Sequence, residues 1–316
     1  YHAIPIAFTG ERAKILHRTI VTFGQGAIRC HPYVLQEMQA VANPDARSGL
    51  KQFDRALFAH IGFTISNITR TLFLGITNAR FAGAPGGSMK RYYQQLSRMS
   101  AAFAMVSDLS MLVLGGSLKR KEKLSARLAD VISQLYIASA ALKRFADEGS
   151  PPEDLPLVQW VCEDSLFTIQ ESLHGLMRNF PNAIVSWFMR LVVFPRGRFW
   201  SAPRDQLGRK LASILMAPGS GRDRLTRGAF ISTDPQDPLG AMEDALVKVT
   251  AAKAVQKKLR QAVRDNELLP AAEAELIDKA RDKGLITDDE ATVMHDAVKA
   301  RDKVIQVDAF AHDYWK

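Results

Sequence analysis

The chain has 316 residues, of which 47% are hydrophobic and 24% charged, and 42 Lys and Arg against 33 Asp and Glu give a formal charge of +9. This composition excludes a chain that is disordered throughout. The two cysteines, Cys30 and Cys162, exclude a disulfide scaffold and a four-thiolate zinc site, and they favour a reducing compartment. We therefore expect a cytoplasmic protein. Because the chain begins at Tyr1 without a basic-then-apolar leader, we expect it to be a fragment of a longer chain.

Helical periodicity dominates the first half of the chain. Apolar residues recur every three or four positions in residues 53–72 and 124–142, and segments rich in Gly and Pro separate the periodic stretches. The pattern predicts helices over residues 51–79, 89–114, 118–147 and 153–179. Long amphipathic helices joined by short loops are typical of an antiparallel bundle, which we predict for residues 51–180.

The character of the sequence changes after residue 180. Residues 184–194 are strongly apolar and predict a short helix, and a basic region with loops and short helices is predicted over 181–236. A helical tail is predicted over 237–316, with helices at 237–264, 270–283 and 287–307. Thr287 followed by Glu290 has the spacing of a capping box. Because strand alternation is nowhere sustained, the predicted fold class is all-α.

The positive charge is concentrated in residues 186–230. This segment holds nine basic residues, eight of them arginine, and two acidic ones, so that it carries +7 and the rest of the chain +2. The planar fork of arginine suits phosphates and carboxylates. We take Arg196, Arg198 and Arg204 as candidates for binding the substrate or another anion. The alternatives are an anionic membrane surface, and a solvated loop whose arginines form intramolecular ion pairs.

Several functional classes lack support in the sequence. It contains no phosphate-binding loop, no nucleophile elbow, and no histidines at metal-ligand spacing, so we predict no metal site. No nucleic-acid-binding motif accompanies the arginines, so we predict no nucleic-acid partner. The longest stretch without charged residues, 56–69, is too short to span a bilayer. Residues 184–194, with Trp187 and Phe188, have the composition of an interfacial helix or of a helix buried against the bundle.

Glu11 is the only acidic residue among the first 36. It precedes a helix-like run, and a carboxylate at the start of a helix complements the helix dipole. Its position alone therefore favours stabilisation of a helix start, with catalysis as the alternative.

Residues 4–18 (IPIAFTGERAKILHR) resemble the segment around the catalytic glutamate of acyl-CoA dehydrogenases. Further segments are similar to the C-terminal part of the bacterial long-chain acyl-CoA dehydrogenases of fatty-acid β-oxidation. These segments are 23–33 (FGQGAIRCHPY), 155–160 (LPLVQW), 193–198 (VFPRGR) and 217–226 (APGSGRDRLT). The resemblance implies that residues 1–43 are the end of the dehydrogenase helical domain and that residues 44–316 are the C-terminal extension of this family.

The resemblance also implies an activity. A fatty acyl-CoA is converted to the trans-2-enoyl-CoA, with Glu11 as the base that takes the α-proton while the β-hydrogen leaves as hydride to the flavin of FAD. Arg12 stands where the family usually has glycine, beside that base. The family binds FAD and acyl-CoA mainly through domains that would lie N-terminal to Tyr1, so this fragment alone is expected to be inactive.

The expected partners follow from the same resemblance. They are fatty acyl-CoA, an electron-transfer flavoprotein that accepts the electrons, and a second copy in a homodimer. The expected location is the cytoplasm, and the basic, aromatic segment makes peripheral contact with the inner membrane a further expectation. The alternative to an enzyme part is a non-catalytic helical module that docks on an anionic membrane or on a partner protein.

Overall fold

A computed structural model describes residues 23–307 of the chain. The chain divides into two compact units, the first ending at Leu207 and the second beginning at Gly208. Helices, 3-10 turns and loops make up the described residues, and none of these residues forms a strand. The predicted all-α class is confirmed.

The first unit contains two short helices, four long ones and a further short helix. They are α1 (Gly26–Arg29), α2 (Val34–Val41), α3 (Ala46–Ile76), α4 (Lys90–Leu114), α5 (Glu122–Asp147), α6 (Leu155–Arg178) and α7 (Ala183–Val193). The four long helices match the predicted ones to within a few residues, with α3 beginning earlier than expected. Its N-cap is Asp45, whose side chain accepts a hydrogen bond from the backbone N–H of Arg47. The N–H groups of the first helical turn have no acceptor within the helix, so the Asp45 carboxylate supplies one.

The long helices pack as antiparallel pairs, α3 with α4 and α5 with α6. In each pair, residues further along the first helix contact residues nearer the start of the second helix. The contacts are Thr64 with Asp108, Asn78 with Gln95, Arg127 with Gly175, and Gln134 with Ser165. The predicted antiparallel arrangement is therefore present in both pairs.

The core of the first unit lies between α4, α5 and α6. Leu128 and Leu142 on α5 and Leu166, Ile169 and Leu173 on α6 are fully buried. Their three- and four-residue spacing places them on one face of each helix. Burying each such side chain stabilises the fold by about 1.5–3 kcal/mol.

Helix α4 combines an apolar composition with buried polar groups. The segment Lys90–Lys119 is the one helix among the described residues that is long and apolar enough to cross a membrane, and 44% of its most apolar window is buried inside the protein. It carries Arg98 and Asp108, both buried. The core helix of a soluble bundle passes the same test of length and composition, so the feature is weak evidence for a span.

Helix α7 is apolar on nearly all sides, but only one side is covered. Met189, Val192 and Val193 are buried, whereas Ile184 and Trp187 are 79% and 65% exposed. The covered face of α7 therefore fits a helix buried against the bundle, and its exposed face has the composition of an interfacial helix.

The second unit has its own core. Its helices are α8 (Asp205–Leu215), within which the division between the units falls, α9 (Ser220–Thr226), α10 (Pro238–Arg264), α11 (Glu273–Asp282) and α12 (Asp288–Ile305). Leu259 on α10, Ile277 on α11 and Met294 on α12 meet in that core. The predicted capping box is present at the start of α12, where the Thr287 side chain and the Glu290 side chain each accept the other's backbone N–H.

Candidate functional site

The predicted catalytic residue, Glu11, lies outside the described residues. The structure does not bring the three candidate arginines together as one site. Arg196 donates a hydrogen bond to the carbonyl of Ile76, at the end of α3, with an N–O distance of 3.4 Å. Arg198 pairs with the carboxylate of Glu171 on α6 at 2.9 Å. Arg204, just before α8, has no side-chain partner within residues 23–307.

The pair between Arg198 and Glu171 is an intramolecular ion pair, which the sequence analysis gave as an alternative to anion binding. Both side chains are 43% exposed, and an exposed pair of this kind contributes about 0–1 kcal/mol. Arg198 is therefore already occupied within the fold, whereas Arg196 makes one long bond to a neutral carbonyl.

A buried arginine lies near Arg196. Arg98 on α4 is 1% exposed, and its Nη2 donates to the carbonyl of Val193 at 2.9 Å. Its guanidinium carbon lies 5.1 Å from the centre of the Phe199 ring, within the range of a cation–π contact. Burial, and then the charges of Arg91 and Arg196, lower the pKa of Arg98 to about 10. Arg98 is thus still charged at neutral pH.

The loop that carries Phe199 is anchored to α6 through Gln170. The Gln170 side-chain oxygen accepts the backbone N–H groups of Phe199 and Trp200, both at 3.0 Å, and its nitrogen donates to the Trp200 carbonyl at 2.9 Å. Gln170 is buried. Three hydrogen bonds to one buried amide fix the loop backbone, so that Phe199 keeps its place over Arg98.

A second polar cluster lies between α2, α3 and α4. The ligand-type atoms of His31, His60 and Asp108 all lie within 4.8 Å of one another. Asp108 accepts hydrogen bonds from His31 Nε2 at 3.0 Å and from Thr64 Oγ1 at 3.1 Å. His60 Nε2 is 3.9 Å from Asp108, and its Nδ1 is 2.8 Å from Glu37. No sequence pattern indicated this cluster, because its members come from segments far apart in the chain.

The tautomer of His31 decides what this cluster can do. The Nδ1 atom of His31 accepts the backbone N–H groups of Tyr33 and Val34, both at 3.2 Å. The proton of a neutral ring is therefore on Nε2, where it is donated to Asp108. A metal-bound imidazole needs a free lone pair on one nitrogen, and neither nitrogen of His31 has one. The arrangement fits a hydrogen-bonded clamp between the helices, and the absence of a metal site stays a prediction.

A cavity of about 440 Å³ lies beside the cluster. Its polar lining is Glu37, His60, Thr64 and Asp108, and the rest of its described lining is aliphatic or Met. Because its polar side carries two carboxylates, the cavity does not suit a phosphate group.

A comparison with known families identifies the chain. Residues 28–310 match the model of a family described as acyl-CoA dehydrogenase, C-terminal, bacterial type. The chain belongs to this family. No solved structure matches it.

The family match confirms the resemblance to bacterial acyl-CoA dehydrogenases. It covers both units of this acyl-CoA dehydrogenase C-terminal domain, including the residues around Arg98 and the cluster at Asp108. The matched region begins at residue 28, so it does not include Glu11. The role of Glu11, the preference for long chains and the place in β-oxidation therefore stay predictions.

Proposed function

We propose that the chain is the C-terminal part of an FAD-dependent acyl-CoA dehydrogenase that converts long-chain fatty acyl-CoA to trans-2-enoyl-CoA in β-oxidation. The observation that supports this proposal is the family match over residues 28–310. In the proposed reaction, the Glu11 carboxylate takes the proton from the α-carbon of the thioester. A base must lie within hydrogen-bond reach of the proton that it takes, so the acyl-CoA α-carbon would lie beside Glu11.

Two cavities of the first unit do not fit FAD. Their volumes are about 440 and 520 Å³. The smaller one presents the carboxylates of Glu37 and Asp108, which would repel a diphosphate. The larger one has Lys119 as the sole cation among its described lining residues. We therefore propose that FAD and acyl-CoA are held mainly by residues N-terminal to Tyr1, and we derive no reaction step through FAD.

The base assignment is tested by Glu11→Gln in the full-length enzyme. A general base contributes about 10²–10⁴-fold to rate, so kcat with a long-chain acyl-CoA and an artificial electron acceptor should fall by at least about 100-fold. Glu37→Gln is the matched control, since it removes a carboxylate that is bonded to His60, and its kcat should stay near that of the wild type. Near-normal turnover of Glu11→Gln would remove Glu11 as the base.

The placement of FAD and the partners have separate tests. The 316-residue chain alone should show neither flavin absorbance nor acyl-CoA turnover, and either signal would contradict our placement of FAD. Reduction of an electron-transfer flavoprotein by the full-length enzyme tests the electron acceptor. Light scattering tests the homodimer, which a monomeric mass at micromolar concentration would exclude.

A second candidate function, docking on an anionic membrane, is favoured by α7. At 100° per residue, Ile184, Trp187 and Leu191 lie on one side of the helix, and all three are exposed, with Arg190 at the edge of the same side. A short helix with an exposed apolar and aromatic face flanked by arginine is typical of segments that lie in a membrane interface.

Two further arginines, like Arg190 of α7, lie within electrostatic range of His174 on α6. Burial, followed by the charges of Arg198, Arg190 and Arg178, lowers the pKa of His174 against the opposing charge of Glu171. Each basic residue near an anionic bilayer contributes about 1 kcal/mol to binding. We propose that this face holds the enzyme at the cytoplasmic side of the inner membrane.

Flotation of the 316-residue chain with vesicles tests this second function. Wild-type protein should float with phosphatidylglycerol vesicles and not with phosphatidylcholine vesicles. The double variant Ile184→Ser, Trp187→Ser should lose flotation, whereas Phe58→Ser, at a 72% exposed site on α3, should keep it. A wild type that does not float, or equal losses in both variants, would rule out docking through α7.

A further inference from the structure

Two buried hydrogen-bond donors next to Phe199 have no acceptor. They are Nη1 of Arg98 and Nε1 of Trp200, and neither has a partner within the described part of the chain. The centre of the Phe199 ring lies 5.1 Å from the Arg98 guanidinium carbon and 5.8 Å from the centre of the Trp200 ring. Buried polar groups in folded proteins are nearly always hydrogen-bonded. Two orphan donors beside the same ring therefore point to a missing acceptor.

The surrounding charge is also unbalanced. The charges of Arg91 and Arg196 act on Arg98, and the charge of Arg80 acts on Arg91. None of these four guanidinium groups pairs with a carboxylate from residues 23–307, and the bonds that three of them make to backbone atoms go to neutral carbonyls. A carbonyl satisfies a donor but does not neutralise a buried cation. The missing acceptor is therefore expected to be an anion.

The geometry points to an oxyanion site of the phosphate class, formed by Arg98, Arg196 and the indole N–H of Trp200, with Phe199 as its cover. The fork of an arginine matches the spacing of phosphate oxygens and can bind two of them. Phe199 is 44% exposed, so its ring stands between the guanidinium and solvent. Because Gln170 holds the loop backbone, rotation of this one side chain is the movement that admits the anion. Binding of phosphate at this site does not require the proposed dehydrogenase activity.

Calorimetric titration of the 316-residue chain with inorganic phosphate, at constant ionic strength in chloride, tests the site. Wild-type protein should bind phosphate saturably. Arg196→Met removes an exposed arginine and should weaken binding at least 10-fold without loss of helicity. Arg55→Met is the matched control: Arg55 is an exposed arginine on α3, 21 residues before Ile76, which at 1.5 Å per residue is roughly 30 Å away.

Two further measurements complete the test. Arg98→Met should abolish phosphate binding, and because Arg98 is buried, its circular dichroism is compared with that of the wild type. Should Arg98→Met unfold, Arg196→Met decides the outcome. Phosphate should also change the emission of Trp200, measured with Trp160, Trp187 and Trp315 replaced by Phe. No saturable binding, or equal weakening in Arg196→Met and Arg55→Met, would overturn the site and leave ordered water as the partner of the two donors.

The source of the phosphate is distinguished with vesicles that contain phosphatidic acid. If the site takes a lipid headgroup, inorganic phosphate should displace wild-type protein from these vesicles, and Arg196→Met should float less than Arg55→Met. If it takes soluble phosphate or a soluble phosphate monoester, flotation should not respond to phosphate or to Arg196→Met. Either result, together with saturable binding in calorimetry, supports the site.

Discussion

The close contact between α3 and α7 makes a sharp prediction for Gly75. A Cβ atom added at Gly75 would lie 2.8 Å from Cγ and 2.9 Å from Cδ of Pro195, and 3.4 Å from the carbonyl oxygen of Val192. Carbon atoms in contact normally lie about 3.5–4.0 Å apart, and the proline ring cannot rotate away. Gly75→Ala must therefore push α3 and α7 apart.

The magnitude follows from two opposing effects. Overpacking of this kind costs about 1–3 kcal/mol, and replacing glycine by alanine in a helix returns at most about 1 kcal/mol, with less expected at Gly75 because α3 ends at Ile76. We expect a net loss of about 1–2 kcal/mol. Gly62 lies in the middle of the same helix with nothing within 4 Å of its added Cβ, so Gly62→Ala should stabilise by about 0.5–1 kcal/mol.

The assay is urea unfolding followed by tryptophan fluorescence. Three of the four tryptophans, Trp160, Trp187 and Trp200, lie in the first unit, so the signal reports mainly on the unfolding of that unit. With a urea m-value of about 2 kcal/mol per molar, the midpoints of the two variants should differ by about 1 M, on opposite sides of the wild type. A Gly75→Ala midpoint at or above that of the wild type would refute the close contact.

Three further predictions concern charge, reactivity and packing. The hydrogen bond from Lys258 is the main cause of the lowered pKa of Glu290, so its stabilising effect is present above about pH 4.5 and lost as the pH falls further. Glu290→Gln should therefore lower the thermal midpoint at pH 7, and the difference from the wild type should shrink as the pH falls through the folded-state pKa of Glu290; a difference that does not change with pH would contradict the pair. Burial raises the pKa of Cys162 to about 12, while Cys30 is exposed. A thiol reagent at pH 8 should label one thiol in the native chain and two in denaturant, so two native labels would contradict that burial. Leu128→Ala should cost about 2–5 kcal/mol in urea unfolding, and a cost below 1 kcal/mol would show that the site is not tightly packed.

The helices of this protein were predictable because their signals are local. Apolar spacing and the Gly- and Pro-rich breaks gave α4 and α6 nearly to the residue, and Thr287 with Glu290 gave the start of α12. The antiparallel pairing followed from short connections between long helices. The family was predictable from short segments such as 193–198, because the residue order in these segments is similar to that of the family. Composition alone does not distinguish one helical family from another.

The polar sites were not predictable, because tertiary packing creates them. His31 and Asp108 are 77 positions apart, and nothing in either segment indicates the other. Arg98 looks like any arginine of a long helix, and its burial follows only from the packing of α7 and Phe199 against α4. For α7, an apolar run predicts a helix but does not say which side is covered. Glu11, taken from the resemblance, stays a prediction.

The composition of α4 has a consequence for the nascent chain. A segment apolar enough to cross a bilayer is a substrate that membrane-insertion machinery samples during synthesis. Arg98 and Asp108 lie within it, and a charged residue at the centre of a bilayer costs about 2.5–3.5 kcal/mol on insertion scales. In the folded bundle, the same two residues bond to Val193 and His31. We therefore expect the two charges to oppose misinsertion of the nascent chain, and in the folded protein their side chains join α4 to its neighbours.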